Sequence, residues 1–149
     1  MTIEAIAERA GVGKPTIYRW WPSLADVVLE ALLDQADDEI KAPPFSSLRE
    51  TLREFLRRSI QVIADGAGVH LRFLMAHAQV DEAFRTRYRE NFTAERRMVL
   101  RTIFQQAVDQ GQIGTEQNLD LLVDIVFGAM WYRLLLDHLP MEESFADEL

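Results

Sequence analysis

The chain has 149 residues, no cysteine and a formal charge of −8 at neutral pH. The missing cysteines exclude disulfides and thiolate metal sites, and the acidic balance argues against a protein that coats nucleic acid indiscriminately. Hydrophobic residues at 48% and charged ones at 27% are the composition of a globular chain long enough to bury a core.

The first element is a short helix from a Thr2 N-cap, with Ile3, Ile6, Ala7 and Ala10 on one face. Gly11 can take the left-handed conformation that ends it sharply, and Val12 should then turn inward. A second helix is expected from Lys14 to Trp21, with Pro15 tolerated in its first turn and Pro22 closing it. If Ile17 and Trp21 face the core, the helical period turns Lys14, Thr16, Tyr18 and Arg19 outward. Two cations and two hydroxyls on one surface suit phosphates and base edges. Residues 1–22 carry Arg9, Lys14 and Arg19 against Glu4 and Glu8, a net +1 that leaves −9 on the remainder. A small, weakly basic head on an acidic body is thus predicted.

Ser23 and Asp26 form a capping box that opens a third helix, continuing to about Asp38 and joining head to body. Pro43 and Pro44 make residues 41–46 the expected linker, so the chain divides into 1–40 and 47–149. A capping box of Ser47 and Glu50 opens the next helix, which Asp65 to Gly68 ends. A shorter one follows from about Val69 to Val80, then a long one from about Asp81 to Gln110. Phe84, Tyr88, Phe92, Val99, Ile103 and Ala107 recur along this last helix, and Gly111 terminates it. The helix from about Gln117 to Leu139 is apolar on more than one face, which implies a second partner. Asp120, Asp124, Arg133 and Asp137 interrupt it, so it is not a membrane span. Arg133 and Asp137 are expected to pair at i, i+4. Pro140 precedes one more short helix within Met141 to Leu149. Strand-like alternation is absent, so the fold class is all-α, a helix-turn-helix followed by a helical ligand-binding and dimerisation domain.

The run TIEAIAERAGVGKPTIYRWWPS resembles the DNA-binding segment of the TetR (tetracycline-repressor-like) family. The resemblance implies phosphate contacts by Thr2 and Tyr18, with Lys14, Pro15, Thr16 and Arg19 in or at the rim of the major groove and Trp20 flanking the backbone. Three departures accompany it. Gly13 stands where the family has a serine cap, and Leu24 where it has a phosphate-binding lysine. The family's first helix would precede Met1, which raises the alternative of a ligand- or protein-binding helical dimer whose incomplete head does not bind DNA.

The motif FGAMWYRLLL looks like the family helix that packs against its copy in a four-helix bundle. It implies a homodimer with Ile125, Gly128, Ala129, Tyr132 and Leu136 at the interface, matching a pseudo-palindromic double-stranded operator. The same resemblance implies a repressor with a cavity for a small, largely apolar effector that releases it from DNA. Candidate lining residues are Phe55, His70, Phe73, Met75, His77, Tyr88, Phe92 and Trp131. His70 and His77 lie about 10.5 Å apart along a helix, so they do not share one metal ion, and His77 could pair with Asp81. Neither cofactor nor metal is expected. Inward Glu-x-x-His pairs, a phosphate-cradling glycine loop, H-E-x-x-H and a nucleophile elbow are all missing from the sequence, so an enzyme is not expected. With no secretory leader pattern at the start, the expected location is the cytoplasm.

Overall fold

The computed structural model describes residues 2–39 and 41–149, with the side chains of all but 35–39. Residue 40, where the sequence reading ends the first unit, lies outside the described residues. Those described form nine helices and no strand: α1 (Ile3–Ala10), α2 (Lys14–Trp20), α3 (Leu24–Glu39), α4 (Leu48–Val62), α5 (Gly68–Val80), α6 (Glu82–Tyr88), α7 (Ala94–Asp109), α8 (Leu119–Leu136) and α9 (Glu143–Glu148).

Local chemistry accounts for most of the boundaries. The Thr2 hydroxyl accepts the Ala5 N–H at 3.2 Å. Gly11, at φ 67°, turns the chain so that the N–H groups of Gly11 and Val12 reach back to Glu8 and Ala7. Ser47 caps α4 through the Glu50 N–H at 3.3 Å. Between α4 and α5 the helical path breaks at Gly66, whose φ of 123° is a conformation that side chains rarely adopt.

Two boundaries differ from expectation. The helix predicted over Asp81 to Gln110 is two helices, α6 and α7, joined through a wide turn of π type at Arg89–Thr93. The backbone stays right-handed on both sides, so the chain runs on while its phase is reset. Residues 84, 88, 92, 100 and 104 consequently form one buried stripe at multiples of four, and Val99 of the predicted series is only half-buried. The other difference is at the end of α8. Asp137 adopts a left-handed conformation (φ 50°) and stops the helix at Leu136. Its side chain therefore leaves the face that carries Arg133, and the predicted Arg133–Asp137 pair does not form. The Arg133 guanidinium instead stacks 3.6 Å from the Phe145 ring and donates to the Pro140 carbonyl.

Three apolar clusters hold the molecule together. The first joins α4, α7, α8 and α9 around Phe55, Leu100, Ile103, Val123 and Phe145. A second joins α3, α5 and α6 around Leu29, Leu74, Phe84 and Tyr88, with Leu134 of α8 at its edge. The third is the small head of Ile3, Ala7 and Ile17, against which Ile6, Trp21, Leu24 and Val27 pack. Helix α3 thus belongs to both head and body, its first turns contributing Leu24 and Val27 to one and Ala25, Val28 and Leu29 to the other.

A polar link reinforces that arrangement. The buried Asp26 carboxylate accepts the Ser23 hydroxyl at 2.7 Å and Arg87 Nε of α6 at 2.7 Å. Arg87 is partly exposed, which moderates what the pair contributes. Replacing it with alanine is expected to cost about 1–2 kcal/mol, the range of a hydrogen bond to a charged group after that discount. A fall of a few degrees in the midpoint of thermal unfolding, followed by circular dichroism, is the expected result. An unchanged midpoint would show the link to be idle.

Candidate functional site

In the head, α2 has seven residues and only Ile17 is buried. Lys14, Pro15, Thr16, Tyr18, Arg19 and Trp20 are all exposed, Tyr18 to 51% and Trp20 to 72%. Two aromatic rings of this size left in solvent on one short helix have no packing role within the chain, which marks the surface as one that meets something else. Thr2 is exposed beside it at the start of α1. Lys14 is not a free cation, since its ammonium pairs with Glu4 on α1. That pairing, with help from the backbone N–H of Glu4, holds the Glu4 carboxyl below its usual range.

The two sequence departures in the head have structural consequences. Gly13 is the N-cap of α2 and supplies no side-chain bond. Leu24 packs into the head cluster, so where the family carries a cation this chain gains apolar cover. Two inward assignments are corrected. Val12 is 40% exposed and Ala10 is also exposed, because the α1/α2 contact closes over Ile3, Ala7 and Ile17 and does not reach the turn beyond them. Trp21 is half-buried at the edge of the cluster, its indole N–H donating to the Glu30 carboxylate.

The body contains a cavity of about 820 Å³, within the range of small-molecule sites. It lies between the two larger clusters. Leu32 of α3, Leu71 of α5 and Phe127, Met130, Trp131 and Leu134 of α8 line it, together with Ser59, Val62 and Ile63. Phe92 and Thr93 of the wide turn and Arg96 and Arg97 of α7 form the polar side, with Asp34, Asp65 and Asp124 at exposed positions. The Arg97 guanidinium bonds Asp124 and lies 3.9 Å from Asp120, tying α7 to α8.

Of the ligand residues expected from sequence, Phe92 and Trp131 are on this wall. Tyr88 is buried one helical turn behind Phe92, their rings stacked at 5.3 Å. Like Tyr88, the five others are not on the wall. Phe55 is buried behind it, edge-on to Phe127 at 6.5 Å. Met75 packs in the α3/α5/α6 cluster. His70 and Phe73 are exposed because α5 turns Leu71, Leu74 and Ala78 inward. His77 packs edge-on against Phe84 at 4.9 Å, with Asp81 Oδ2 3.6 Å from its Nε2. Arg96 was missed by sequence reasoning, although a signal existed. In the stripe Phe84, Tyr88, Phe92, Leu100 and Phe104, position 96 is the one that breaks apolar character.

Helix α8 has two apolar faces. Leu119, Val123, Val126, Met130 and Leu134 are buried. Leu121, Ile125, Tyr132 and Leu135 are exposed to 54%, 55%, 61% and 44%, and with Gly128 they form a stripe spaced four, three, four and three residues apart. Leu136 is exposed beside them. A Cβ on Gly128 would meet nothing within 4 Å. Ala129, expected at the interface, is half-buried and packs against the core, one position round from the exposed stripe.

An exposed polar and aromatic helix on a compact helical head, joined through a shared helix to a body with an internal cavity, defines a helix-turn-helix transcriptional regulator. Residues 1–31 match the description "Bacterial regulatory proteins, tetR family", and residues 42–149 match "Tetracyclin repressor-like, C-terminal domain". The chain belongs to the TetR family. It is 26% identical over 149 residues to the uncharacterized HTH-type transcriptional regulator YdeS of Bacillus subtilis, covering 100% of this chain and 75% of that one. Identity to the uncharacterized HTH-type transcriptional regulator Mb1581 of Mycobacterium bovis is 29% over 152 residues, covering 100% and 73%. The crystal structure of the TetR family transcription regulator SCO0332 superposes with a TM-score of 0.84 at 31% identity, over 98% of this chain and 81% of that one. These relatives are regulators and none is described as an enzyme. Among the described residues, no helix is long and apolar enough to cross a membrane.

Proposed function

We propose that this protein is a cytoplasmic homodimeric repressor whose two heads read a pseudo-palindromic operator and which a small molecule in the body cavity releases from DNA. Residues 1–40 would serve as the DNA-binding unit with its connecting helix, and 47–149 as the regulatory unit. The observation that carries the reading is the exposure of every residue of α2 except Ile17. Lys14, Pro15, Thr16 and Arg19 would enter the major groove, and Thr2, Tyr18 and Trp20 would meet the backbone on either side. The exposed stripe of α8 would pack against its own copy, placing the heads on one side of the dimer.

Release requires that the ligand favour one arrangement of the heads over another. The wall of the cavity supports such a coupling, because Leu32 lies on α3, the helix whose first turns pack in the head. A ligand that displaces Leu32 would act on the base of the head directly. The test is fluorescence anisotropy of the full chain with DNA selected from a random pool, across a salt series. Sequence-selective binding that weakens with salt, with a slope of about −0.9 per phosphate contacted, is expected. No selection of a symmetric site from the pool would remove the DNA-reading assignment.

A further inference from the structure

We infer that the cavity takes an anionic amphiphile, its negative head group on the Arg96 guanidinium and its hydrocarbon among Leu71, Met130, Trp131 and Leu134. The inference rests on the proposed reading of the cavity as the effector site and specifies the chemistry of the effector.

Arg96 occupies the position between Phe92 and Leu100 on the stripe that is otherwise apolar and buried. Its guanidinium lies 5.0 Å from the Phe92 ring centroid, at the cavity wall. Among the described residues no carboxylate pairs with it and no acceptor bonds it. Burial lowers its pKa to about 10, so it is still a cation at neutral pH. Half-buried at the cavity wall, its guanidinium is partly desolvated, which favours an acceptor that carries negative charge. A second donor lies behind the wall, within electrostatic reach of Arg96. The Tyr88 hydroxyl, two turns back on the stripe, is buried and has no hydrogen-bond partner. Burial raises its pKa, so it stays protonated and able to donate.

The acidic residues of the wall do not meet this need. Asp34, Asp65 and Asp124 are exposed, Asp65 accepts from Gln61, and Asp124 is already paired with Arg97. Among the described residues the wall offers Arg96 no free anionic acceptor, and the same cavity offers apolar surface to whatever brings one. A cationic ligand would be repelled by Arg96, and a neutral one could offer it only the weaker, uncharged acceptor.

The experiment loads the full chain with the uncharged fluorophore N-phenyl-1-naphthylamine and displaces it with dodecanoate, dodecan-1-ol or dodecylammonium, all at neutral pH and below micelle formation. Dodecanoate should displace the probe at a concentration about ten- to a hundredfold below that of the alcohol, as a charge-assisted bond predicts. Arg96→Gln should erase the difference, and Arg96→Lys should keep part of it. Tyr88→Phe, which removes only an orphan hydroxyl and preserves the ring stack, should leave the fold intact and reduce the preference a few-fold. Equal displacement by acid and alcohol, stronger displacement by dodecylammonium, or a preference that survives in folded Arg96→Gln would overturn the assignment to Arg96. If the probe does not enter the unaltered chain, both the cavity reading and the anion assignment fall. Arg96-dependent dodecanoate binding that leaves the DNA complex intact would keep the anion site and remove the effector reading.

Discussion

Sedimentation of an Ile125→Asp variant is expected to give a monomer where the unaltered chain gives a dimer. Ile125 is 55% exposed at the centre of the α8 stripe that also carries Leu121, Gly128, Tyr132 and Leu135. Replacing a side chain so placed disturbs little within the protomer, so folding should change by no more than about 0.5 kcal/mol. Across a two-fold interface the same carboxylate is buried twice, facing its own copy. An uncompensated buried charge costs about 3 kcal/mol or more. Two of them weaken association by about four orders of magnitude, enough to abolish a nanomolar or micromolar dimer at working concentrations. Gly128→Leu is the companion variant. In the protomer its side chain meets open space and removes a mid-helix glycine, so the chain itself should be at least as stable. In a dimer it would hold the two copies of α8 apart. Monomers from both variants, with unaltered circular dichroism, place the interface on this stripe; dimers from both would place it elsewhere.

The head was legible in sequence because its requirements are local. A small residue at Ala7, a left-handed turn at Gly11 and a buried Ile17 between exposed polar positions each follow from covalent geometry or from the helical period, and each stands in the structure. The exposed face of α8 was legible for a related reason, since a helix apolar on two faces cannot bury both in one small body. The cavity was much less so. Its wall draws on α3, α4, α5, α7 and α8 at once, and nothing in a single helix distinguishes a residue facing a void from one facing another side chain. Phe55 and Trp131 look alike in sequence, one packed behind the wall and the other on it. The wide turn at Arg89–Thr93 compounded this, because a phase reset in an uninterrupted helix leaves no proline or glycine to mark it. The ion pair of Lys14 was hidden for the opposite reason. The lysine is on the surface that sequence assigned, but its partner Glu4 is ten residues away on another helix, and only the crossing of α1 and α2 brings them together.

That pairing sets the expected ranking of head variants. Arg19 has no ion-pair partner among the described residues, so any contact it makes with phosphate or a base edge comes without breaking another. Arg19→Ala should therefore lower operator affinity about ten- to a hundredfold, the effect of one good base or phosphate contact. Lys14→Ala should cost less, because in the free protein the ammonium already has Glu4 and DNA only replaces one anion by another. The sign reverses at Glu4. Glu4→Gln frees the ammonium and removes a negative charge from the surface proposed to face DNA, so it should tighten binding and steepen the salt dependence by about one phosphate equivalent. Anisotropy titrations of the three variants against one selected operator, at several salt concentrations, distinguish these outcomes. If Glu4→Gln leaves both affinity and slope unchanged while Arg19→Ala weakens binding, Lys14 serves to hold α2 against α1 and does not touch DNA. If all three bind as the unaltered chain does, α2 is not the reading helix, and its exposed rings at Tyr18 and Trp20 must meet some other surface.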